Sequence, residues 1–176
     1  MLPDGFQTAR LVLRPIAADD RDPIFDTYAQ DEEVTRFLVW RPHRSRDDTA
    51  AYIAHCLATS PAVARTYVLT NRESGTVLGA FDLRQPASHR LEFGYVLGRP
   101  WWGQGLMTEA LTGVVRWALR QESVFRIGAV CDVENIGSAR VMEKAGLERE
   151  GSPRRLMIHP NISDEPRDCY SYARVR

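Results

Sequence analysis

Residues 99–111 read RPWWGQGLMTEAL and combine two glycines with the start of a helical pattern. Gly103 and Gly105 come shortly after the strand-like run 91–97, and from Leu106 onward apolar residues recur every three to four positions. That spacing is typical of one buried face of an amphipathic helix. Bare backbone N–H groups at a helix start favour an anion such as a pyrophosphate. The stretch therefore predicts a strand, a glycine loop and a helix that together hold a diphosphate-bearing ligand.

Two other glycine motifs fit this loop poorly. A dinucleotide-binding fingerprint needs a small residue at position 108, which is Thr108, and an acid that closes the next strand, whereas Glu122 precedes that strand. A P-loop needs Gly-Lys-Ser/Thr, and the sequence contains no such triplet. A sharp helix entry without any ligand stays open as the plain alternative.

Composition narrows the class of protein. The 176 residues carry 23 basic and 23 acidic side chains, which predicts one domain over residues 1–176 and no nucleic-acid partner. The three cysteines and four histidines show no metal-ligand spacing, so no metal is expected. No run is apolar enough to span a bilayer and no leader pattern is present, which predicts a soluble cytoplasmic protein without a membrane partner.

The apolar pattern predicts alternating elements of both kinds. Strands are expected at 8–15, 66–70, 76–83, 91–97, 124–131, 148–158 and 167–175. Helices are expected at 23–29 with Asp22 as N-cap, from a Ser45–Asp48 capping box to near Pro61, from Leu106 onward, and at 138–144 before a C-cap glycine, Gly146. This order predicts an α+β fold with one crossover unit.

Four motifs, in this order along the chain, resemble the GNAT superfamily of N-acetyltransferases, in its Rim-type branch that acetylates protein N-termini and small amines. They are TARLVLRP at 8–15, EFGYVL at 92–97, WWGQGLMTEAL at 101–111 and VENIGSARVMEKAGL at 133–147. The resemblance implies a twisted, mostly antiparallel sheet flanked by helices. It also implies a splay between two central parallel strands, at 93–97 and 127–131.

The resemblance further implies acetyl-CoA as cosubstrate, lying in the splay. Its pantetheine arm is expected to pair with the backbone of Val96 and Leu97, where an N–H also polarises the thioester. Asn135 reaches a pantetheine carbonyl or serves only as an N-cap. The pyrophosphate is expected to meet the glycine loop, with Arg99 as a further contact. The loop residues assigned to the cofactor are Trp102, Gly103, Gln104, Gly105, Leu106, Met107 and Thr108. Among these, Trp102 replaces the usual Gln or Arg, and Met107 the usual Gly or Ala.

The motifs give candidates for the catalytic residues, each with a structural alternative. Met142 stands where many members carry the tyrosine that protonates the leaving thiolate, so Ser138 is the candidate for that role, or else a first-turn serine that caps an N–H. Glu92 is the candidate base for the amine proton, with a solvated strand-end acid as the alternative. Glu109 and Tyr95 are expected to be structural.

The acceptor cleft is implied by the resemblance to lie between residues 37–43 and 156–164, with His43 as the histidine expected to line it. The predicted reaction is direct acetyl transfer to a primary amine, first of all a peptide or protein N-terminal α-amine. A small amine, such as a polyamine, amino acid or aminoglycoside, is the second choice. A CoA-binding protein without turnover and a nucleotide-binding regulatory module are the other readings. The chain is expected as a monomer or homodimer.

Overall fold

The computed structural model describes residues 2–176. The strands within this range form one eight-stranded sheet. Its strands are β1 (Phe6–Gln7), β2 (Leu11–Pro15), β3 (Ala64–Asn71), β4 (Val77–Ala87), β5 (Arg90–Leu97), β6 (Arg126–Asp132), β7 (Glu148–Gly151) and β8 (Cys169–Val175). The spatial order is β1-β2-β3-β4-β5-β6-β8-β7. Only the β5–β6 pair is parallel among the described strands. The predicted α+β fold with a mostly antiparallel sheet is confirmed.

The helices cover both faces of this sheet. They are α1 (Arg21–Ile24), which continues as a wider π-helical turn (Phe25–Ala29), α2 (Glu32–Thr35), α3 (Arg46–Ala58), α4 (Leu106–Ala118) and α5 (Ile136–Lys144). The predicted capping box begins α3, because Ser45 Oγ accepts the Asp48 N–H and Asp48 Oδ2 accepts the Ser45 N–H. Gly146 ends α5 with a φ of +86°, as predicted.

Two hydrophobic clusters hold the layers together. The larger one lies between the sheet and helices α4 and α5, where α4 buries one face of apolar side chains: Leu106, Met107, Ala110, Leu111, Val114, Val115 and Ala118. The smaller one lies on the other face, against α1 and α3. On β3, Tyr67 and Leu69 join the first cluster and Val68 joins the second, as the period-two alternation of a strand requires. The central strands are therefore covered on both sides.

The parallel pair opens into a V-shaped gap. Strands β5 and β6 pair only over 90–92 and 126–128, after which β6 continues along β8 alone. The rest of β5, from Phe93 to Leu97, faces the gap without a strand partner on that side among the described residues. The predicted splay between 93–97 and 127–131 is thus confirmed.

The N-terminal third differs from the pattern-based prediction. The strand predicted from residue 8 begins only at Leu11, because the Thr8 N–H and hydroxyl both turn back onto the Leu11 carbonyl. Asp22 is not the N-cap of the first helix. Helical turns already begin at Ala18, and the Asp20 carboxylate accepts the Ala17 N–H at 2.8 Å. The short helix α2 was not predicted.

The terminal hairpin is also shorter than predicted. The strand expected over 148–158 ends at Gly151, since Pro153 has no N–H to pair and Arg155 adopts a φ of +47°. The two arms touch again only in a bridge between Met157 and Arg167 within the described chain. Residues 152–168 therefore form a long loop. Most other element ends lie within two residues of the prediction, although β4 extends further, to Ala87.

Candidate active site

Two clefts meet inside the splay. The glycine-loop cleft, of about 550 Å³, is lined by the end of β5, the loop before α4, and α5. The opposite cleft, of about 460 Å³, is lined by the chain after α2, by β5 and β6, and by the loop after β7. The residues that line both clefts are Phe37, Leu38, Tyr95, Asn135 and Ser138. The clefts therefore adjoin, with Tyr95 and Ser138 at their boundary.

The glycine loop presents bare backbone to its cleft. Gly103 and Gly105 both have a φ of +73°, a left-handed conformation that strains any other residue. Gly105 is the N-cap of α4, so the loop lies at the positive end of that helix. The loop residues that line the cleft are Trp102, Gly103, Gly105, Leu106, Met107 and Thr108. Gln104 is not among them, and its side chain donates to the Pro100 carbonyl instead.

The two unusual loop residues are accommodated differently. Trp102 remains 44% exposed, and its indole Nε1–H donates to the Leu97 carbonyl over 2.6 Å. Met107 is buried in the larger core cluster, so its side chain extends away from solvent. Both residues keep backbone groups in the cleft wall.

The backbone groups of β5 point into the splay at alternate residues, and of these the Leu97 carbonyl already accepts from Trp102 Nε1. The Val96 carbonyl points at β4, because a Cβ built on Gly79 lies only 2.1 Å from that oxygen. The Gly98 N–H also donates to β4, at Leu78. Since neighbouring residues of a strand point their polar groups to opposite sides, Leu97 directs its N–H and C=O into the splay. Of the two residues predicted to pair with a ligand, Leu97 has the suitable backbone orientation, and Val96 lines the cleft.

Ser138 and Tyr95 form a hydroxyl pair where the clefts join. Their oxygens, Oγ and Oη, lie 2.8 Å apart, and the Tyr95 ring stacks on Phe93 at 6.1 Å. Burial raises the pKa of Tyr95, and the hydrogen bond with Ser138 partly opposes that rise. Asn135 Oδ1 accepts the Ser138 N–H, so the N-cap is Asn135 and the serine hydroxyl does not serve as the cap. Sequence reasoning had not paired Tyr95 with Ser138.

The side chains of Met142 and Cys131, which also line the opposite cleft, are poorly suited to acid–base catalysis. Met142 is 1% exposed and belongs to the larger core cluster. Its side chain has no proton to donate, so it cannot take the role of the tyrosine that many members carry at that position. Cys131 lines the opposite cleft, and burial raises its pKa to about 12. Its thiol therefore stays protonated and is a poor nucleophile.

Glu92 lies at the closed end of the opposite cleft. It pairs in register with Gly128, where β5 and β6 are still hydrogen-bonded, and its carboxylate is 3.7 Å from Arg90. Glu109 is structural, as predicted. It accepts bonds from the Thr8 hydroxyl, the Arg10 N–H and Arg10 Nε, and these outweigh partial burial, so that the pKa of Glu109 is lowered.

Several basic residues differ from the prediction. Arg99 does not line the glycine-loop cleft; it pairs with Asp31, the N-cap of α2, at 2.7 Å. Arg140 and Lys144 on α5 do line it, and were missed. Their mutual spacing of four residues was a usable signal, because such residues share a helix face.

In the opposite cleft, the sequence-based prediction named the wrong histidine. His43, the one expected there, bonds to Thr49 Oγ1 at 2.8 Å and packs on Trp40, away from the cleft wall. The histidine that lines the cleft is His159, 3% exposed and edge-on to Phe37. It belongs to the long loop 152–168, for which no periodic pattern gave a signal.

Comparison with known proteins decides the family. A profile of the acetyltransferase (GNAT) domain matches residues 10–148, most of the chain. The chain belongs to the GNAT family of N-acetyltransferases. Among its relatives is the [ribosomal protein uS5]-alanine N-acetyltransferase of Escherichia coli, 27% identical over 162 residues that cover 86% of this chain and 81% of that protein. The predicted resemblance to Rim-type enzymes is confirmed.

Other relatives cover the whole chain. The uncharacterized N-acetyltransferase YoaA of Bacillus subtilis is 27% identical over 173 residues, 97% of each protein. The structure of RimL, a ribosomal α-N-protein acetyltransferase in complex with coenzyme A, superposes with a TM-score of 0.82 over 99% of this chain and 97% of that one, at 19% identity. That superposition establishes a common fold.

The described residues contain neither a metal-binding cluster nor a membrane-spanning helix. No group of three or more His, Cys, Asp or Glu side chains within residues 2–176 is arranged to hold a metal ion. No helix in that same range is both long and apolar enough to cross a membrane.

Proposed function

We propose that this GNAT enzyme transfers acetyl directly from acetyl-CoA to a primary amine, most simply the α-amine of a peptide or protein N-terminus. The observation that carries the proposal is that two clefts adjoin at the same pair of hydroxyl groups. A cofactor entering from the glycine loop and an amine entering from the opposite side would meet at Ser138 and Tyr95. The buried Cys131 thiol is a poor nucleophile, which favours direct transfer over an acetyl-cysteine intermediate.

Acetyl-CoA would occupy the glycine-loop cleft. Backbone N–H groups of Gly103 to Thr108 at the start of α4 would hold the pyrophosphate, and Arg140 and Lys144 would supply positive charge nearby. The pantetheine would pair with Leu97 like an added strand, while Asn135 is close enough to the junction to reach one of its carbonyls. No metal takes part in this scheme.

The thioester would lie beside Ser138. In the reaction the amine nitrogen bonds to the carbonyl carbon, the C–S bond breaks, and the departing thiolate takes a proton. The Leu97 N–H would polarise the carbonyl, and Ser138 would donate that proton. Tyr95 Oη lies 2.8 Å from the Ser138 oxygen and would hold the serine hydroxyl in place. Acting through Ser138, Tyr95 would take the place of the tyrosine that many members carry at the position of Met142. The amine proton needs a base; Glu92 stays the sequence-based prediction for that role.

The nature of the opposite cleft favours a peptide. Its apolar wall of Phe37, Leu38 and Val39 suits a side chain next to the amine. The relative that acts on an alanine of ribosomal protein uS5 points in the same direction. A polyamine, amino acid or aminoglycoside remains the alternative acceptor. A cytoplasmic location and a monomeric or dimeric state stay predictions.

Two measurements on the purified chain test the proposal. Calorimetric titration with acetyl-CoA, with NADH as a competing diphosphate, is expected to give one site for acetyl-CoA alone. Transfer of labelled acetyl to an N-terminal alanine peptide amide should then exceed transfer to spermidine and to the same peptide with a blocked amine. Binding without transfer to any amine would favour a non-catalytic CoA-binding protein. Binding of NADH alone would favour a nucleotide-binding module.

A further inference from the structure

His159 is a buried imidazole without any hydrogen bond. Its side chain is almost fully enclosed, yet neither Nδ1 nor Nε2 has a partner within residues 2–176. A buried polar group left unpaired costs free energy, so native proteins seldom keep one without a use. Because His159 lines the opposite cleft, the missing partner is most simply a molecule that enters this cleft.

The surroundings of His159 favour a positively charged or proton-donating partner. His159 Nε2 lies 3.7 Å from Oδ2 of Asp132, which is 1% exposed. Asp132 in turn accepts from Arg167 Nε at 2.6 Å, and Arg167 also pairs with Glu134 at 3.0 Å. The four groups that face one another are thus two carboxylates, one guanidinium and the imidazole.

Residues 132–135 form a turn whose first residue lies near His159 and whose last residue bonds to Ser138. The turn from β6 to α5 begins at Asp132, which faces His159, and ends at Asn135, whose side chain holds the Ser138 N–H. A backbone bond from Asn135 N–H to the Asp132 carbonyl, 2.9 Å long, fixes its shape. One rigid turn therefore positions an imidazole on the acceptor side and a hydroxyl on the cofactor side of the same junction.

We propose that His159 is the catalytic base that takes the proton from the attacking amine, with Asp132 as its positioning residue. The inference rests on the proposed function and deepens it. As the amine nitrogen bonds to the carbonyl carbon, one N–H proton moves to His159. The C–S bond then breaks, Ser138 gives its hydroxyl proton to the thiolate, and Ser138 regains a proton from solvent as the imidazolium releases its own proton to solvent. The products are the N-acetyl amine and free CoA, so the atoms and charges balance.

Glu92 is the competing base. Its carboxylate is 43% exposed, lies against Arg90, and is placed where the two strands are still paired. His159 is enclosed, and its ring nitrogens have no hydrogen-bond partner among the described residues. A base that changes protonation near neutral pH also matches the working range of a cellular enzyme, and histidine is the side chain with that property.

The test compares the pH dependence of kcat in the full-length wild type, His159→Gln and Glu92→Gln, at saturating acetyl-CoA and alanine peptide amide. His55, which is exposed on α3, provides the matched control His55→Gln. We expect kcat of wild type to fall below neutral pH. His159→Gln should lower the plateau about 100-fold and remove this acid limb, whereas its acetyl-CoA affinity should equal that of wild type. An intact affinity also verifies that the variant is folded.

Three results would overturn the assignment. One is a His159→Gln plateau within about threefold of wild type, far below the usual contribution of a catalytic base. The second is an acid limb that persists in His159→Gln and disappears in Glu92→Gln. The third is a wild-type enzyme that acetylates no amine, which would remove the proposed function as well. The first two outcomes leave the proposed function standing.

Discussion

The two clefts are built in different ways. The glycine-loop cleft is made largely of backbone, at the end of β5 and the start of α4, and its two glycines share a φ of +73°. The opposite cleft is lined by strands β5, β6 and β8, together with side chains from the chain after α2 and from the loop 152–168. Backbone groups can serve one unchanging ligand, whereas loop side chains in a cleft wall can differ between relatives that accept different amines.

Loops alone would leave the opposite cleft poorly defined, and a few polar contacts fix it. Asn161 Nδ2 donates to the carbonyls of Thr35 and Trp40, at 2.7 and 2.8 Å, and so joins the loop 152–168 to the chain after α2. The Asp132–Arg167 pair joins the base of the same loop to β6. The comparison therefore predicts variants that damage one cleft and spare the other.

The largest effect is expected from Asp132→Asn. Burial alone would raise the pKa of Asp132, but the bonds from Arg167 and the Glu134 N–H lower it in the folded protein. The variant should lose about 3 kcal/mol of unfolding free energy at pH 7, because it leaves a guanidinium without its buried partner. Since the folded pKa lies below the unfolded value of about 3.9, this contribution is complete above that pH and is lost as the pH falls through the folded pKa.

Urea unfolding of wild type and Asp132→Asn between pH 7 and pH 3 measures this. The difference between them should shrink as the pH falls. Asp19→Asn, at an exposed position without an ion pair in the described structure, is the control and should change stability little. A constant difference at every pH would mean that the carboxylate charge is not what stabilises the loop.

The second largest effect is expected at the junction. Ser138→Ala should lower kcat about 100-fold, because the leaving thiolate loses its proton donor, and should leave acetyl-CoA affinity unchanged. Tyr95→Phe removes the hydroxyl that holds Ser138 and should lower kcat by less. Steady-state kinetics and calorimetry separate the two quantities. The control is Ser152→Ala, in the exposed part of the loop. Unchanged turnover in Ser138→Ala would remove the serine from the mechanism.

The third effect concerns the glycine loop. Gly103 and Gly75 have nearly the same φ, +73° and +71°, and a Cβ at either meets no atom within 4 Å. Gly103→Ala and Gly75→Ala should therefore cost similar stability, of about 1 kcal/mol. Only Gly103→Ala should weaken acetyl-CoA binding, by about tenfold or about 1.4 kcal/mol. Equal affinities in the two variants would mean that the loop does not contact the cofactor.

The smallest effect is expected for Asn161→Ala. Loss of its two bonds should cost about 1–2 kcal/mol of stability and raise the KM for the amine several-fold, with acetyl-CoA affinity unchanged. Asn71 provides the control: its side chain accepts two N–H groups in the β3–β4 turn, far from both clefts, so Asn71→Ala should lower stability alone. A KM that does not move in Asn161→Ala would show that the acceptor does not contact this wall.

The contrast between the clefts also explains what the sequence could predict. The glycine loop, the splay and helix α4 follow from local patterns, because bare glycines and a 3.6-residue period act over a few residues. The Tyr95–Ser138 pair joins residues 43 positions apart, and only the assembled sheet brings them together. Each of the two had been singled out, but not the contact.

The opposite cleft could not be predicted in the same way. His159, Asn161 and Arg167 lie in a loop whose shape depends on a positive φ at Arg155 and on contacts with distant carbonyls. Neither cause leaves a periodic signal in the sequence. The strand predicted over 148–158 is too long for that reason, and the orientations of the side chains in the loop 152–168 were therefore not predicted.

If the two clefts are continuous, one molecule should occupy both of them across Ser138. Calorimetric titration with a bisubstrate analogue, in which an acetyl bridge joins the sulfur of CoA to the α-nitrogen of an alanine peptide amide, measures this. We expect one site per chain and binding at least about tenfold tighter than that of CoA, since both halves are held at once. An affinity no greater than that of CoA would mean that the peptide finds no cleft beyond Ser138 and that the two clefts are separate sites.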